Sequence, residues 1–197
     1  MGTVITSAVE GLVDEAVVLR VLVAVGGQPG FVYGKKGKQH LIARLNGYNE
    51  AAKRFPWLVL LDLDRDADCA PPMQAQWLPA PASQMCFRIA VRSIEAWLLA
   101  DRSRIAQFLG IRQSLVTRLP DSLDDPKKEV VDLARRSPRS DIRHDLVPRR
   151  GSGRSVGPAY SSRLVTYIRE TWRPDEARDN SASLDRCLVR LEALVGS

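Results

Sequence analysis

The chain has 197 residues, of which 45% are hydrophobic and 26% are charged, and its formal net charge is +6. These values are typical of one globular domain, with room for a small appendage, and they exclude collagen, a coiled coil and a wholly disordered chain. No apolar run approaches the roughly 18 residues of a membrane span, and the first residues lack the features of a signal peptide. We therefore expect a cytoplasmic protein with no membrane partner.

In chain order, the pattern predicts strands alternating with helices, followed by a mostly helical second half. The predicted strands cover residues 3–11, 31–33, 57–64 and 85–91. The predicted helices cover residues 14–25, 40–54, 93–101, 103–109, 127–136, 160–172 and 183–195, and loops are predicted at 70–81 and 137–158. This order is typical of an α/β fold, with a mostly parallel central sheet flanked by helices and a helical C-terminal extension.

Positive charge is concentrated in the second half of the chain. Residues 101–197 carry 19 basic side chains, 17 of them arginine, against 14 acidic ones. Arginine suits phosphate recognition, so a polyanionic partner such as nucleic acid is expected. The alternative is that a GC-rich genome favours arginine codons.

Cysteine and histidine are too few and too scattered to predict a soft-metal site. The three cysteines, Cys69, Cys86 and Cys187, form no C-x-x-C pair and predict reduced thiols, and there are only two histidines. Any bound metal should therefore be a hard cation held by carboxylates.

The acidic run after the third predicted strand is the sharpest chemical signal. Asp62 and Asp64 alternate along an extended chain, so their side chains are expected on the same side, and Asp66 extends the cluster. Ligands of open parallel sheets bind at the carboxyl ends of the strands. Crowded carboxylates need a counter-charge there, which Mg²⁺ would supply. The alternative is a solvated acidic loop.

Two further acids are expected at the same edge of the sheet. Glu10 ends the first predicted strand, and Gly11 after it permits a tight turn or a close ligand approach. Ser93 is expected to cap the third predicted helix, which would put Glu95 in its first turn and Arg92 near the same mouth. Alternatively, Glu95 only stabilises the start of that helix.

Basic residues in two glycine-bearing turns are candidates for contacts with nucleic-acid phosphates. They are Lys35, Lys36, Lys38, Arg149, Arg150 and Arg154. The first turn does not match a Walker A loop, and the second would form a backbone nest for an anion. The alternatives are a solvated basic turn and a disordered loop.

Glu10-Gly11, Asp62-x-Asp64 and the βαβαβ order together resemble the Toprim domain over residues 4–101. Topoisomerases, DnaG-type primases and nucleases of the overcoming-lysogenization-defect family share that domain. The segment VRSIEAWLLAD further resembles small free-standing bacterial Toprim-like proteins, the domain of unknown function 4276 group. The resemblance implies a Toprim-like catalytic core over residues 1–101 and a helical, arginine-rich extension over 102–197 that packs on it.

The resemblance also implies the reaction: hydrolysis of phosphodiester bonds in DNA or RNA with two Mg²⁺ or Mn²⁺ ions. Glu10, Asp62 and Asp64 would be catalytic, and the same three with Asp66 and Glu95 would hold the metal. Whether Glu10 is a metal ligand or a general base stays open. Relatives of this type often sit beside an ATPase, which implies a bacterial defence module with an ATPase partner.

Two other functions compete with a nuclease. One is a non-catalytic Toprim-like scaffold or toxin subunit of an ATPase complex. The other is a phosphatase of the haloacid-dehalogenase type, in which Asp62 would be the nucleophile and Asp64 the acid. The late position of this motif and the idle Glu10 disfavour the phosphatase. The oligomeric state is left open.

Overall fold

Four parallel strands form the central sheet in a computed structural model that describes residues 2–196. They are β1 (Val4–Val9), β2 (Gln28–Gly34), β3 (Trp57–Asp62) and β4 (Met85–Ala90), in the order β2-β1-β3-β4. This sheet confirms the predicted α/β class and is consistent with a Toprim-like fold. Met1 and Ser197, the outer ends of the two predicted domain ranges, lie outside the described residues.

Helices cover both faces of the sheet and make up most of the second half. The first four are α1 (Leu12–Ala24), α2 (Lys38–Ala51), α3 (Ala70–Trp77) and α4 (Ile94–Ala100). The later ones are α5 (Arg102–Leu109), α6 (Pro126–Arg135), α7 (Ser140–Leu146), α8 (Tyr160–Glu170), α9 (Pro174–Ala177) and α10 (Ala182–Val195). Between residues 2 and 196, no helix is both long enough and apolar enough to cross a membrane.

Two segments predicted as loops contain helices. Within residues 70–81, α3 begins with Pro71 and Pro72 in its first turn, where a missing N–H costs no helical hydrogen bond. Within residues 137–158, α7 buries Ile142 and Leu146, which lie one helical turn apart. Both loop predictions are wrong over those helices, because proline and arginine dominated the local pattern.

The alternation of side chains along β3 separates two hydrophobic clusters. Leu58 and Leu60 face α1, α4 and the later helices, whereas Val59 and Leu61 face α2 and α3. The first cluster runs without a break from β1 to α10. Of the helices after residue 101, α5, α6, α8 and α9 pack against α1 or α4, and α10 packs on β4. The boundary at residue 101 therefore divides the sequence but not this core.

Three of the four tryptophans are buried, as expected for core residues. They are Trp57, Trp97 and Trp172. Trp97 donates its indole N–H to the Ser183 hydroxyl at 2.7 Å, and Trp172 donates to the Trp97 carbonyl at 3.2 Å. These bonds join α4 to α10, which contains Ser183, and to the segment after α8, which contains Trp172.

Gly34 makes the turn out of β2 possible. Its φ is +89°, and a Cβ placed there would lie 2.2 Å from the Val9 carbonyl oxygen. A side chain would therefore meet both a strained backbone and a direct clash. The turn that follows carries Lys35 and Lys38 to the carboxyl edge of the sheet.

We expect Gly34→Ala and Gly47→Ala to change stability in opposite directions. Gly34→Ala should lower the free energy of unfolding by about 2 kcal/mol or more, because of the strain and the clash. Gly47 lies inside α2 with open space around it, so alanine there should raise that free energy by about 0.5–1 kcal/mol. Urea unfolding followed by circular dichroism measures both changes. Equal changes in the free energy of unfolding for the two variants would contradict the strain and the clash proposed at Gly34.

Candidate active site

Asp62 lies at the centre of the carboxyl edge of the sheet. Its backbone N–H donates to Glu10 Oε1 at 2.8 Å, so the ends of β1 and β3 bring these two acids together as predicted. Its own Oδ1 accepts the N–H of Ile94 at 2.9 Å, which caps α4. Ser93 holds the predicted N-cap position and Glu95 lies in the first turn of α4, but the Ser93 hydroxyl makes no cap hydrogen bond and donates instead to Glu95 Oε2 at 2.7 Å.

Glu95 is a buried acid with three polar neighbours. Only 3% of its side chain is exposed. Besides the Ser93 hydroxyl, the Tyr160 hydroxyl donates to its Oε1 at 3.2 Å, and Lys127 Nζ lies 3.7 Å from the same oxygen. A residue that merely stabilises a helix start needs no such surroundings, and these contacts hold Glu95 at the carboxyl edge of the sheet.

A cavity of about 230 Å³ connects these groups. Asp14, Asp62, Glu95, Lys127 and Tyr160 contribute to its lining. The sequence analysis missed Asp14, because an acid in the first turn of α1 is common at helix starts. Its one signal was a spacing of four residues from the strand-end Glu10, which brings the first helical turn back to the edge of the sheet.

Gly11 lines this cavity, and of the two roles predicted for it the tight turn is not formed. Its φ of −150° and ψ of −172° are an extended conformation that other residues adopt. A Cβ at this position would lie 3.2 Å from Asp14 Oδ2. The glycine therefore leaves room beside the Asp14 carboxylate rather than forming a tight turn.

Lys127 was also missed, and no local pattern indicated it. It belongs to the first turn of α6, far along the chain from the acidic motifs. Packing of α6 against α4 brings it to the cavity, where the charge of Glu95 is the largest influence raising its pKa. The candidate site thus contains a residue from the C-terminal extension.

The acids of the site repel one another in a partly dry environment. Burial first, and then the charges of Asp14 and Asp64, raise the pKa of Glu10 to about 7, although its bond to the Asp62 N–H opposes this. Burial and the Glu95 charge raise the pKa of Asp14 to about 6. Burial and all four acidic neighbours raise the pKa of Asp62 well above its usual range. This crowding favours a bound positive charge.

Asp64 and Asp66 do not line the cavity that Asp62 lines, contrary to the expected shared side, although the charge of Asp64 still acts on Asp62 and Glu10. Alternation stops because β3 ends at Asp62 and Asp64 adopts φ +51°. Lys38 Nζ lies 2.5 Å from Asp64 Oδ2 and 2.8 Å from Asp66 Oδ2. The two bonds outweigh the effect of burial and raise the Lys38 pKa.

A second cavity of about 330 Å³ lies on this side of the site, lined in part by Asp64, Asp66, Arg92 and Lys127. Lys127 therefore separates the two cavities. Arg92 does lie near the predicted mouth, but its Nη1 donates to the carbonyls of Asp64 at 3.3 Å and Ala67 at 2.8 Å. It holds the acidic loop in place.

The predicted phosphate contacts of the first turn differ in their availability. Lys38 is only 13% exposed and engaged by two acids, so it is a poor phosphate contact. Lys35 pairs with Glu15 at 2.9 Å. Lys36 is exposed, and no ion pair engages it within residues 2–196. Of the three lysines, Lys36 is therefore the best candidate for a contact with phosphate.

The arginine-rich turn lies next to the acidic cavity. Arg149 and Arg154 line a separate cavity of about 410 Å³, and Arg150 is exposed beside them. Val156 lines both this cavity and the acidic one. The structure therefore brings the predicted arginines close to the acids, although the sequence separates them by more than 50 residues.

The acidic side chains of this site are of a type that binds hard divalent cations. Its side-chain atoms are carboxylate oxygens, which Mg²⁺ and Mn²⁺ prefer, and the raised pKa values record an excess of negative charge. As arranged, the His, Cys, Asp and Glu side chains of residues 2–196 form no group of three that could hold a metal ion. Lys38 and Lys127 are the cations beside these acids.

Comparisons with protein-family models, curated proteins and solved structures each found no match. The geometry of the acids and lysines therefore carries the functional conclusion, together with the resemblance of the acidic motifs.

The raised pKa values predict that the site destabilises the metal-free protein at neutral pH. Each of these acids binds its proton more tightly in the folded chain than in the unfolded chain. The protonated acids therefore contribute stability to the fold below about pH 4, and this contribution is lost as the pH rises towards 7. In EDTA, we expect the Tm of the wild type to fall more between pH 5 and pH 8 than the Tm of Asp62→Asn. Asparagine keeps the Oδ1 acceptor for Ile94 and removes the charge.

Glu50→Gln is the matched control, since Glu50 is a surface acid paired with Lys53. Its pH dependence should follow the wild type. At pH 8, Mn²⁺ should raise the Tm of the wild type and leave that of Asp62→Asn nearly unchanged, because a ligand stabilises only the state that binds it. Parallel Tm curves for wild type and Asp62→Asn would contradict this electrostatic account.

Proposed function

We propose that the chain is a divalent-metal-dependent nuclease that hydrolyses phosphodiester bonds in DNA or RNA. The observation that carries the proposal is the cavity in which Asp14, Asp62 and Glu95 meet Lys127. A phosphodiester substrate is an anion, so binding it requires both carboxylates for cations and a fixed ammonium for phosphate. Both kinds of group are side by side here.

To hold a cation in the first cavity, the carboxylates of Asp14, Asp62 and Glu95 would have to draw together around it, and Asp64 would contribute from the second. Two hard cations supply stabilisation of the attacking and the leaving oxygens in an in-line displacement. Tyr160 and Ser93 are positioning residues, since their hydroxyls donate to the two oxygens of Glu95. Those bonds orient the Glu95 carboxylate before a ligand arrives.

Glu10 is the best general base of the set. Its pKa of about 7 leaves a substantial fraction ionised at neutral pH, yet makes the carboxylate basic enough to take a proton from water. Its Oε1 already accepts the Asp62 N–H, so Oε2 is the atom that would receive the proton. In this proposal Glu10 transfers the proton, and metal binding is its alternative role.

Lys127 would contact the substrate phosphate. Its ammonium lies between the two cavities, where it can neutralise negative charge that develops on the phosphate during the displacement. Lys36 and the arginines of the second turn would bind neighbouring phosphates of the same strand. These contacts are electrostatic and independent of base sequence.

The haloacid-dehalogenase-type phosphatase fits the geometry less well. In a phosphatase of the haloacid-dehalogenase type, the first aspartate attacks the phosphate and the second transfers a proton. Here Asp62 Oδ1 caps α4 and Asp64 is engaged by Lys38 on another side.

A bacterial defence module and an ATPase partner are proposed on the family resemblance.

The test is cleavage of supercoiled plasmid, single-stranded DNA and transfer RNA by the purified chain with Mg²⁺, Mn²⁺ or EDTA. We expect metal-dependent cleavage, which Lys127→Met should slow about a hundredfold or more, since it removes one charge that stabilises the transition state. Lys128→Met is the matched control, because Lys128 is exposed and pairs with Asp132 outside both cavities. Its rate should equal that of the wild type.

Glu10→Gln and Asp62→Asn should also abolish cleavage. Cleavage that survives in both would place the reaction at another site. Hydrolysis of p-nitrophenyl phosphate without cleavage of nucleic acid would favour the phosphatase. Metal binding without any hydrolysis would favour the non-catalytic subunit.

A further inference from the structure

Strand β2 presents large aromatic side chains to solvent at the edge of the sheet. Phe31 is 80% exposed and Tyr33 is 48% exposed. Within residues 2–196, β2 pairs with β1 alone, so its outer edge is open. Aromatic rings at such a position gain little from the fold of this chain, which suggests that they serve a ligand.

The exposed rings continue into a stacked row. The centroids of Phe31 and Tyr33 are 6.5 Å apart. Trp57 stacks on Tyr33 at 5.6 Å and 23° and on Tyr48 at 5.0 Å and 25°. We call these four residues the aromatic row. Because Trp57 is buried and fixed, it orients Tyr33, so the exposed part of the row is a preorganised surface.

Two cations border the aromatic row. Lys36 follows Tyr33 by three residues. Burial raises the pKa of Tyr48, and Arg44 of α2 lies close enough for its charge to oppose that rise. Both cations are exposed, and no acid pairs with either of them among residues 2–196. Alternating aromatic and cationic groups are typical of surfaces that bind single-stranded nucleic acid.

The aromatic row is also connected to the candidate active site. The turn after β2 leads from Tyr33 to Lys38, whose ammonium contacts Asp64. A strand lying along β2 would therefore reach the carboxyl edge of the sheet with its backbone near Lys36. Gly34 and Gly37 flank this turn, and the two residues between them are the lysines Lys35 and Lys36.

We propose that the aromatic row binds unstacked bases of single-stranded DNA or RNA and guides that strand to the carboxylate cavities. This inference rests on the proposed function and deepens it by naming the substrate class. Base faces are hidden within a duplex, so only unpaired bases can stack on Phe31 and Tyr33. Lys36 and Arg44 hold the phosphates between those bases.

A second copy of the chain is the competing occupant of this edge. Strand pairing between copies would need a row of backbone donors, but Pro29 has no N–H. It would also place the cations of both copies near the same interface, where they would repel each other. Single-stranded nucleic acid complements those charges instead.

The test is fluorescence anisotropy with labelled oligo(dT) and with a labelled blunt duplex, in EDTA so that cleavage cannot interfere. Phe31→Ala/Tyr33→Ala should weaken oligo(dT) binding about thirtyfold or more, because it removes two stacking rings, and should leave duplex binding unchanged. Phe31→Leu, which keeps an apolar side chain but removes the ring, should weaken oligo(dT) binding as well. Leu119→Ala is the control, since Leu119 is 68% exposed and not part of the row.

Lys36→Met gives an independent measurement. It should reduce the slope of log affinity against log salt by about 0.7, the contribution of one phosphate contact to a single strand. Unchanged oligo(dT) binding by the correctly folded aromatic variants, or an equal loss of duplex binding, would overturn the inference. So would a dimer in sedimentation that these variants convert to a monomer.

The two proposals can fail separately. Metal-dependent cleavage that persists while the aromatic variants bind oligo(dT) normally would refute the aromatic row and keep the nuclease. Selective oligo(dT) binding without cleavage would support the aromatic row and refute the proposed nuclease.

Discussion

The hydrogen bonds of Asp62 are the constraint on which the carboxyl edge of the sheet depends. The residue donates its N–H to Glu10 and accepts the N–H of Ile94, so one aspartate joins β1, β3 and α4. The start of a helix favours a carboxylate, whereas burial among acids disfavours its charge. The Asp62 carboxylate is therefore needed at the start of α4, although its negative charge is unfavourable in this buried, acidic environment. Such a conflict is common at functional sites.

The chain compensates this negative charge from two directions. Lys38 holds Asp64 and Asp66 on the side of α2, and Lys127 approaches Glu95 from α6. Both lysines are attached to helix starts, so their ammonium groups are brought to the acids by packing rather than by local sequence. The balance remains incomplete, because burial and mutual repulsion still raise the pKa values of the central acids.

Sequence reasoning succeeded where one local rule determined the outcome. Apolar runs predicted the strands, and the rule that parallel strands end at one edge predicted that Glu10 would meet Asp62. It failed where the outcome depended on tertiary packing. Asp14 resembles any acid at a helix start, and Lys127 is placed by contacts between α6 and α4. Asp64 turned away because alternation applies only while the strand continues.

The unbroken hydrophobic cluster under α1 and α4 gives the second half of the chain a role beyond covering the sheet. It includes Leu164 of α8 and Leu188 of α10, which pack in the same core as Val17 of α1. A helix that shares its core with the site cannot detach without uncovering that core. Backbone amides of α10 should therefore exchange with solvent as slowly as those of α4, so the C-terminal helices belong to the cooperative unit that shapes the site.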